Sequence, residues 1–333
     1  MPDMPTDIDG IAVPTQPAIA ALRREIAPYT RVTPVFERDD LGPLAGTRLN
    51  FKFELLQASG TFKARGAFSN LLALDEVARA KGVTAISAGN HAVAVAYAAM
   101  RLGISAKVVM LKTANPARLA LCRDYGAEVL MAEDGATGFA MVRQIEAEEG
   151  RFFVHPFNGY RTILGTATLG AEWAEQAGAL DAVIIPIGGG GLAAGVTTAF
   201  RRANPGMAIY GVEPEGATGM AQSFATGGPV KMGAMHGIAD SLMAPHTEAY
   251  SYGLCRHTID ALVTVSDDEL RAAMRLLSRE LKLMTEPACA AATAAALYPL
   301  RSRIAGKRVG VLLCGTNTDA ETFHRHITAS GSD

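Results

Sequence analysis

The chain has little of what marks several large classes of protein. Its four cysteines lie far apart among 333 residues, so neither a disulfide scaffold nor a zinc site is indicated. Charged residues make up only 19% of the chain, its net charge is −2, and no basic run is interleaved with aromatic residues, which argues against nucleic-acid binding. No segment approaches the roughly 18 consecutive apolar residues of a membrane helix, and residues 1–16 do not resemble a secretory signal. We expect a cytoplasmic protein with no nucleic-acid or membrane partner.

What the chain does have is a high content of apolar residues, arranged in alternating strands and helices. Apolar residues make up 49% of the sequence, enough for a large core. Strands are predicted at 84–86, 106–111 and 128–131, each followed by a helical pattern, and continuous apolar runs occur at 182–187 and 308–313. Helices are predicted to start at Asn115-Pro116, with the asparagine as N-cap, and to span residues 166–177 and residues 267–281, the last with charge on one face. This alternation predicts an α/β fold whose sheets are mostly parallel and covered on both faces.

Lys63 is the first candidate for a chemical role. It lies in the segment 59–66, Ser-Gly-Thr-Phe-Lys-Ala-Arg-Gly, between an aromatic residue and a small one. A lysine in apolar surroundings loses hydration of its charged form, so its pKa falls and the neutral amine can form a Schiff base. By itself such a lysine is more often simply exposed at a helix start, and the hypothesis therefore depends on other segments.

Three further segments follow predicted strands, and strand carboxyl ends are where open α/β sheets bind ligands. Four glycines at 188–191 lie between an apolar strand and a predicted helix, where their backbone N–H groups can surround a phosphate. Their spacing is neither a dinucleotide fingerprint nor a Walker loop. The turn 87–91, Ser-Ala-Gly-Asn-His, opens another helix, and Cys314 ends the last strand.

Taken in order, these segments resemble the fold type II pyridoxal-phosphate enzymes, specifically the threonine/serine dehydratase group to which serine racemase also belongs. The resemblance extends from about residue 34 to residue 317. It implies a tryptophan synthase β-subunit-like α/β fold with two three-layer α/β/α domains. Residues 1–68 and 154–333 would form the large cofactor-binding domain, and residues 69–153 a small inserted domain that closes over the substrate.

The resemblance also implies roles for individual residues. Lys63 would hold pyridoxal 5′-phosphate as a Schiff base and move the proton of the substrate Cα. The other implied cofactor-binding residues are Phe62 beside the ring, Asn90 on the 3′ oxygen, Cys314 next to the pyridine nitrogen, and Gly188, Gly189, Gly190, Gly191 and Leu192 around the phosphate. The implied substrate-carboxylate loop is Ser87, Ala88, Gly89, Asn90 and His91. A neutral thiol beside the ring nitrogen does not hold it protonated, which favours elimination.

Several positions depart from the pattern of the group. Ala88 stands where racemases of the group have a second serine, which disfavours two-base racemisation. Val93 and Ala167 replace customary residues near helix starts and argue against plain threonine as the substrate. Many relatives bind a cation through a glutamate and an aspartate. Here Glu213 is present, but Gly219 stands in place of the aspartate. A site for a divalent or monovalent cation would therefore have one carboxylate ligand fewer, and the sequence leaves open whether a cation is bound.

The predicted function is a pyridoxal-phosphate-dependent ammonia-lyase that dehydrates a β-hydroxy amino acid such as threonine, serine or 3-hydroxyaspartate to a 2-oxo acid and ammonia. Elimination or β-replacement on a larger amino acid is an alternative. A non-catalytic binding protein that kept the fold is a rival from another class. The expected partners are a small amino-acid substrate and a second copy of the chain in a homodimer.

Overall fold

The computed structural model describes residues 4–87 and 89–329. Within these residues, the strands are β1 (Asp7–Ile8), β2 (Ile11–Ala12), β3 (Val35–Arg38), β4 (Arg48–Lys52), β5 (Val83–Ser87), β6 (Ala106–Leu111), β7 (Glu128–Ala132), β8 (Phe152–Phe153), β9 (Ala182–Pro186), β10 (Ala208–Pro214), β11 (Ala261–Val265) and β12 (Arg308–Leu312). The helices are α1 (Gln16–Ile26), α2 (Lys63–Leu72), α3 (Glu76–Lys81), α4 (Asn90–Leu102), α5 (Pro116–Asp124), α6 (Gly135–Glu149), α7 (Tyr160–Ala177), α8 (Gly191–Ala203), α9 (Gly219–Thr226), α10 (Ala249–Thr258), α11 (Asp267–Leu281), α12 (Pro287–Leu297), α13 (Arg301–Ile304) and α14 (Ala320–Thr328).

The strands form two larger sheets and a short hairpin. The six-stranded sheet has the order β11-β10-β9-β12-β4-β3, in which only the β3–β4 pair is antiparallel. The four-stranded sheet has the order β7-β6-β5-β8 and is parallel throughout. Helices α4 and α6 pack on the four-stranded sheet, and α12 packs on the six-stranded one. The predicted α/β class with mostly parallel sheets is therefore confirmed.

Local sequence explains where several elements begin. Helix α11 starts with a capping box: the Ser266 hydroxyl accepts from the Glu269 amide, and the Glu269 carboxylate accepts from the Ser266 amide. Helix α5 starts as predicted, with Asn115 as its N-cap and proline at its first position. Helix α7 begins at Tyr160, six residues before the predicted start at residue 166, and β11 and α12 were not predicted.

A buried ionic network fixes the start of α2 to the six-stranded sheet. The Arg65 guanidinium donates to Glu54 at 2.6 Å and to Glu172 at 3.0 Å. The Lys52 ammonium donates to the other oxygen of Glu172 at 2.5 Å. All four side chains are buried and have lost their contact with water, so each charge is stabilised by its oppositely charged partners instead. Because Arg65 follows Lys63 by two residues, this network also positions Lys63.

Candidate active site

The predicted site residues lie around a single cavity of about 370 Å³ at the carboxyl ends of β5, β9 and β12. The cavity is lined by all but two of them: Phe62, Lys63, Ser87, Gly89, Asn90, His91, Gly188, Gly189, Gly190, Gly191, Leu192 and Cys314. Ala88 lies outside the described residues. Glu213 is described but is not part of the lining. The cavity thus brings together residues as far apart in sequence as Phe62 and Cys314, which are separated by 252 positions. The roles assigned to these residues remain predictions.

Lys63 is the first residue of α2, and its side chain enters the cavity. Its Nζ donates to the carbonyl oxygen of Pro156 and lies 5.2 Å from the centre of the Phe62 ring. Burial lowers the pKa of Lys63 to about 8, although Cys314 and Glu286 act in the opposite direction. A fraction of the molecules therefore carries a neutral, nucleophilic amine at this position near neutral pH.

The glycine run forms the entry to α8, a helix of 13 residues with no side-chain cap. Gly190 has φ of +92°, a conformation that favours glycine. A Cβ atom on Gly189 would lie 2.3 Å from the Phe157 ring, and one on Gly191 would lie 2.5 Å from the Phe157 carbonyl oxygen. Only glycine fits here, and the bare amides at the positive end of the helix suit an anion such as phosphate.

Asn90 opens α4 and is held by two polar side chains. Its amide nitrogen donates to Glu286 at 2.6 Å, and its amide oxygen accepts from Asn317 at 2.8 Å. Glu286 immediately precedes the proline that starts α12. Glu286 was given no role from the sequence, because nothing in its own neighbourhood indicates that it contacts Asn90.

Arg118 completes this arrangement, and sequence reasoning missed it as well. Its guanidinium donates to Asp240 at 2.6 Å, to Glu286 at 3.1 Å and to the carbonyl oxygen of Asn317 at 2.8 Å. Burial raises the pKa of the Glu286 carboxyl, and the nearby Arg118 charge opposes this rise. We call Asn90, Arg118, Asp240, Glu286 and Asn317 the Arg118 network. It joins α5, on the four-stranded sheet, to segments beside the six-stranded sheet.

Gly89 lies directly against the Arg118 side chain, where there is no room for a side chain on residue 89. A Cβ atom on Gly89 would lie 2.2 Å from Cδ of Arg118. The Gly89 amide also donates to the Ser87 hydroxyl at 2.9 Å. Gly89 is therefore required by the close approach of Arg118, and the sequence alone gave no sign of that contact.

Two further cavity residues are held in their neutral forms. Burial, followed by the Lys63 charge, lowers the pKa of His91 to about 3, and its ring Nε2 lies 2.8 Å from the Val154 carbonyl oxygen, which fixes the proton on that nitrogen. A hydrogen bond with Cys289, together with burial, raises the pKa of the Cys314 thiol. Cys314 is therefore a thiol, not a thiolate, where it faces the cavity.

Glu213 lies at the end of β10 and has partners of its own. Its two oxygens accept from the amides of Met220 and Ala221, at 2.7 and 2.8 Å, at the start of α9. Burial raises the pKa of Glu213 to about 7, against the effect of those two amides. In this structure Glu213 caps a helix, and the prediction that it binds a cation stays a prediction.

The residues present fit pyridoxal phosphate. The uncapped, glycine-lined start of α8 suits its phosphate. The amine of Lys63, with its lowered pKa, suits the aldehyde, and the neutral Cys314 thiol suits an unprotonated ring nitrogen. All three lie in the same cavity.

Comparison with known proteins gives the same result. Residues 26–315 match the family described as pyridoxal-phosphate dependent enzyme. The chain is 70% identical to the phenylserine dehydratase of Ralstonia pickettii over 97% of this chain and 99% of that protein. It is 36% identical to the beta-hydroxyaspartate dehydratase of Paracoccus denitrificans over 93% of this chain and 98% of that protein. The solved structure of maize serine racemase is similar, with a TM-score of 0.88, 33% identity and coverage of 93% of this chain and 95% of that one.

These matches cover nearly the whole chain. They confirm the predicted activity class, a pyridoxal-phosphate-dependent dehydratase of β-hydroxy amino acids. No helix among the described residues is long and apolar enough to cross a membrane. The chain belongs to the family of pyridoxal-phosphate dependent enzymes.

Proposed function

We propose that the protein dehydrates an aryl-substituted β-hydroxy amino acid of the phenylserine type. The observation that carries this proposal is the 70% identity to a phenylserine dehydratase over 97% of the chain. The reaction removes the Cα proton and the β-hydroxyl group as water. The resulting enamine tautomerises and is hydrolysed to a 2-oxo acid and ammonia.

In this proposal the protein's own residues have separate roles in binding and in proton transfer. The amides at 188–191 bind the cofactor phosphate, Asn90 binds the ring oxygen, and the 87–91 turn binds the substrate carboxylate. When bound, pyridoxal phosphate supplies an aldehyde for amines and an electron-withdrawing ring that stabilises negative charge on Cα. Nζ of Lys63 takes the Cα proton, for which its lowered pKa suits it. The neutral thiol of Cys314 leaves the ring a weak electron sink, which favours early loss of the β-hydroxyl group.

The charge around the cavity supports an uncharged substrate side chain. Among the described residues that line it, Lys63 is the single lysine or arginine, and His91 is neutral. Two carboxyl groups, those of Asp240 and Glu286, also line the cavity. The second carboxylate of 3-hydroxyaspartate would meet no free cation there, so it would lose hydration without compensation. This favours phenylserine over the substrate named for the Paracoccus relative.

Purified protein loaded with pyridoxal phosphate should be tested on serine, threonine, 3-hydroxyaspartate and phenylserine. We expect phenylserine to give the highest kcat/KM for 2-oxo acid and ammonia, with the same rate when a thiol is added. Turnover that requires the thiol would instead support β-replacement. The variant Lys63→Ala should lose this activity, whereas Lys307→Ala, at an exposed lysine outside the cavity, should keep it. Equal or faster turnover of 3-hydroxyaspartate would overturn the proposal.

We also propose the organisation that the resemblance implied. The four-stranded sheet lies wholly within residues 83–153, which supports a small domain at 69–153 beside a large one at 1–68 and 154–333. A homodimer in the cytoplasm and a bound cation belong to the same proposal. Light scattering measures the dimer, and turnover after exhaustive chelation, with Na⁺, K⁺ or Mg²⁺ added back, measures the need for a cation. A monomer, or full activity without added cation, would contradict the respective part.

A further inference from the structure

Part of the cavity lining is apolar and is not used by any role described so far. It is bounded by Leu111 at the end of β6, by Gly135 and Phe139 in the first turns of α6, and by Pro245. These residues are only partly buried, so their apolar surface faces the open cavity. The roles proposed for the cofactor and for the amino-acid carboxylate use other residues of the lining, Lys63 among them. An apolar wall with no partner is suited to an apolar part of the substrate.

We propose that Leu111, Gly135, Phe139 and Pro245 form an aryl subsite that binds the ring on the substrate's β-carbon and sets the preference for aryl substrates. This proposal rests on the proposed function, and it deepens that function by naming the residues that discriminate. The subsite would select through apolar contact and through the edge-to-face or offset geometry that aromatic rings prefer.

Phe139 is held in place from behind. Its ring centre lies 6.2 Å from that of Phe153, nearly perpendicular at 87°, and 5.4 Å from that of His246. His246 is fixed in turn, because its Nε2 lies 3.1 Å from the Glu248 carboxylate. These contacts reduce the rotamers open to Phe139, so little side-chain entropy is lost when a substrate ring packs on it. A positioned aromatic wall of this kind favours a rigid aromatic guest.

Gly135 leaves the room that the ring needs. A Cβ atom on Gly135 would have the Cγ atom of Pro245, 4.0 Å away, as its nearest neighbour, so space remains between α6 and Pro245. Gly135 is the first residue of α6, whose N-cap Asp134 accepts from the Thr137 amide. Its φ is not in the region that favours glycine. A larger residue at this position is therefore compatible with the helix and would fill the subsite.

Two variants test the subsite from opposite directions. Phe139→Leu removes the aromatic wall, and it should lower the ratio of kcat/KM for phenylserine over threonine roughly three- to tenfold, mainly through KM. Gly135→Val narrows the space, and it should lower the same ratio by about tenfold or more, since overpacking a fitted site costs that much. In both cases the loss falls on the larger substrate.

Each variant has a matched control. Phe224→Leu changes a phenylalanine that is also partly buried and edge-on to another ring, that of Tyr252 at 6.1 Å, but that does not line the cavity, and the ratio should stay within about twofold of wild type. Ala320→Val places the same valine at the first position of α14, which Asp319 caps as Asp134 caps α6. It should leave the ratio unchanged, and the visible absorbance of the bound cofactor would show in every variant that the fold is intact.

The outcomes separate the two proposals. If wild-type protein does not turn over phenylserine, the proposed function fails and the subsite with it. If wild-type protein turns over phenylserine but Phe139→Leu and Gly135→Val lower the phenylserine and threonine rates equally, the proposed function stands and the aryl subsite is refuted. A fall in the ratio for both variants, and for neither control, supports the subsite.

Discussion

Replacing Arg118 with alanine would test whether the Arg118 network holds the two sheets together across the active site. Arg118 is 2% exposed, and it is the cation that Glu286 and Asp240 share in this network. Arg118→Ala removes three hydrogen-bonded contacts, with Asp240, Glu286 and the carbonyl oxygen of Asn317. The most serious consequence is at Glu286, which is 1% exposed and would lose its ion-pair partner.

The expected magnitude follows from that burial. Removing one partner of a buried ion pair costs about 3–5 kcal/mol, because the remaining charge has neither water nor a counter-ion. Glu286 would respond by taking up a proton, which lowers the cost but changes what Asn90 meets. The Asn90 amide now donates to a Glu286 oxygen at 2.6 Å, and a neutral carboxyl is a weaker acceptor. We therefore expect Arg118→Ala to lower the free energy of unfolding by about 3 kcal/mol or more and to lower kcat/KM as Asn90 loses its orientation.

Urea unfolding and steady-state kinetics measure these two effects, and three variants give the comparison. Arg23→Ala removes an ion pair of similar length, 2.6 Å to Glu175, at the exposed surface, and should cost at most about 1 kcal/mol. Arg118→Lys keeps the charge and should recover part of both losses. Glu286→Gln should relieve part of the instability of Arg118→Ala when the two are combined, since no buried charge is then left alone. If Arg118→Ala unfolds at the same urea concentration as Arg23→Ala, the network does not stabilise the fold and the reasoning is wrong.

Three other predictions follow from single groups. The rate at which the apoprotein takes up pyridoxal phosphate should rise with pH through about 8, the pKa of Lys63, because only the neutral amine reacts; a flat rate between pH 6.5 and 9 would contradict this. Glu213→Gln should flatten the pH dependence of stability, because folding raises the pKa of Glu213 from 4.5 to about 7. The contribution of Glu213 to the free energy of unfolding is fully present below pH 4.5 and is lost as the pH rises through 7, by about 3 kcal/mol in total. A wild-type minus variant difference that grows with pH would have the wrong sign. Gly189→Ala should weaken cofactor binding, since its Cβ would lie 2.3 Å from the Phe157 ring, whereas Gly228→Ala, with no atom within 4 Å, should not; equal cofactor affinity in the two variants would show that the glycine entry to α8 tolerates a side chain.

The elements that could be predicted from sequence are those whose signals are local. Helix α11 was predicted with the bounds that the structure shows, because its charged residues fall on one face and its apolar residues on the other. Helix α12 was missed because it is alanine-rich and buried on every side, so it has no amphipathic period. Strand β11 was missed because a short apolar run such as residues 261–265 cannot be told by periodicity from the end of a helix, and α10 ends at Thr258, just before it.

The site shows the same division. Lys63, Asn90 and the glycine run were found because each belongs to a short segment with chemistry of its own, and their order along the chain supplied the resemblance. Arg118 and Glu286 were not assigned roles, because an arginine and a glutamate 168 positions apart give no sequence signal that they will meet. Only the arrangement of the two sheets brings them together, and that arrangement is not readable from one sequence.

The placement of these residues shows how the two sheets share the chemistry. Lys63 and Cys314 lie beside the six-stranded sheet, whereas Ser87, Asn90 and Phe139 come from strands and helices of the four-stranded sheet. The group proposed to take the proton is thus carried by one sheet, whereas the proposed carboxylate turn and Leu111, Gly135 and Phe139 of the proposed aryl subsite are carried by the other. Any change in the spacing of the two sheets would then alter substrate position relative to Lys63, with the Arg118 network as the buried link between them. We therefore expect the Arg118 network to couple substrate position to proton transfer, so that a substitution at Arg118 affects kcat for every substrate while one at Phe139 affects mainly the KM of aryl substrates.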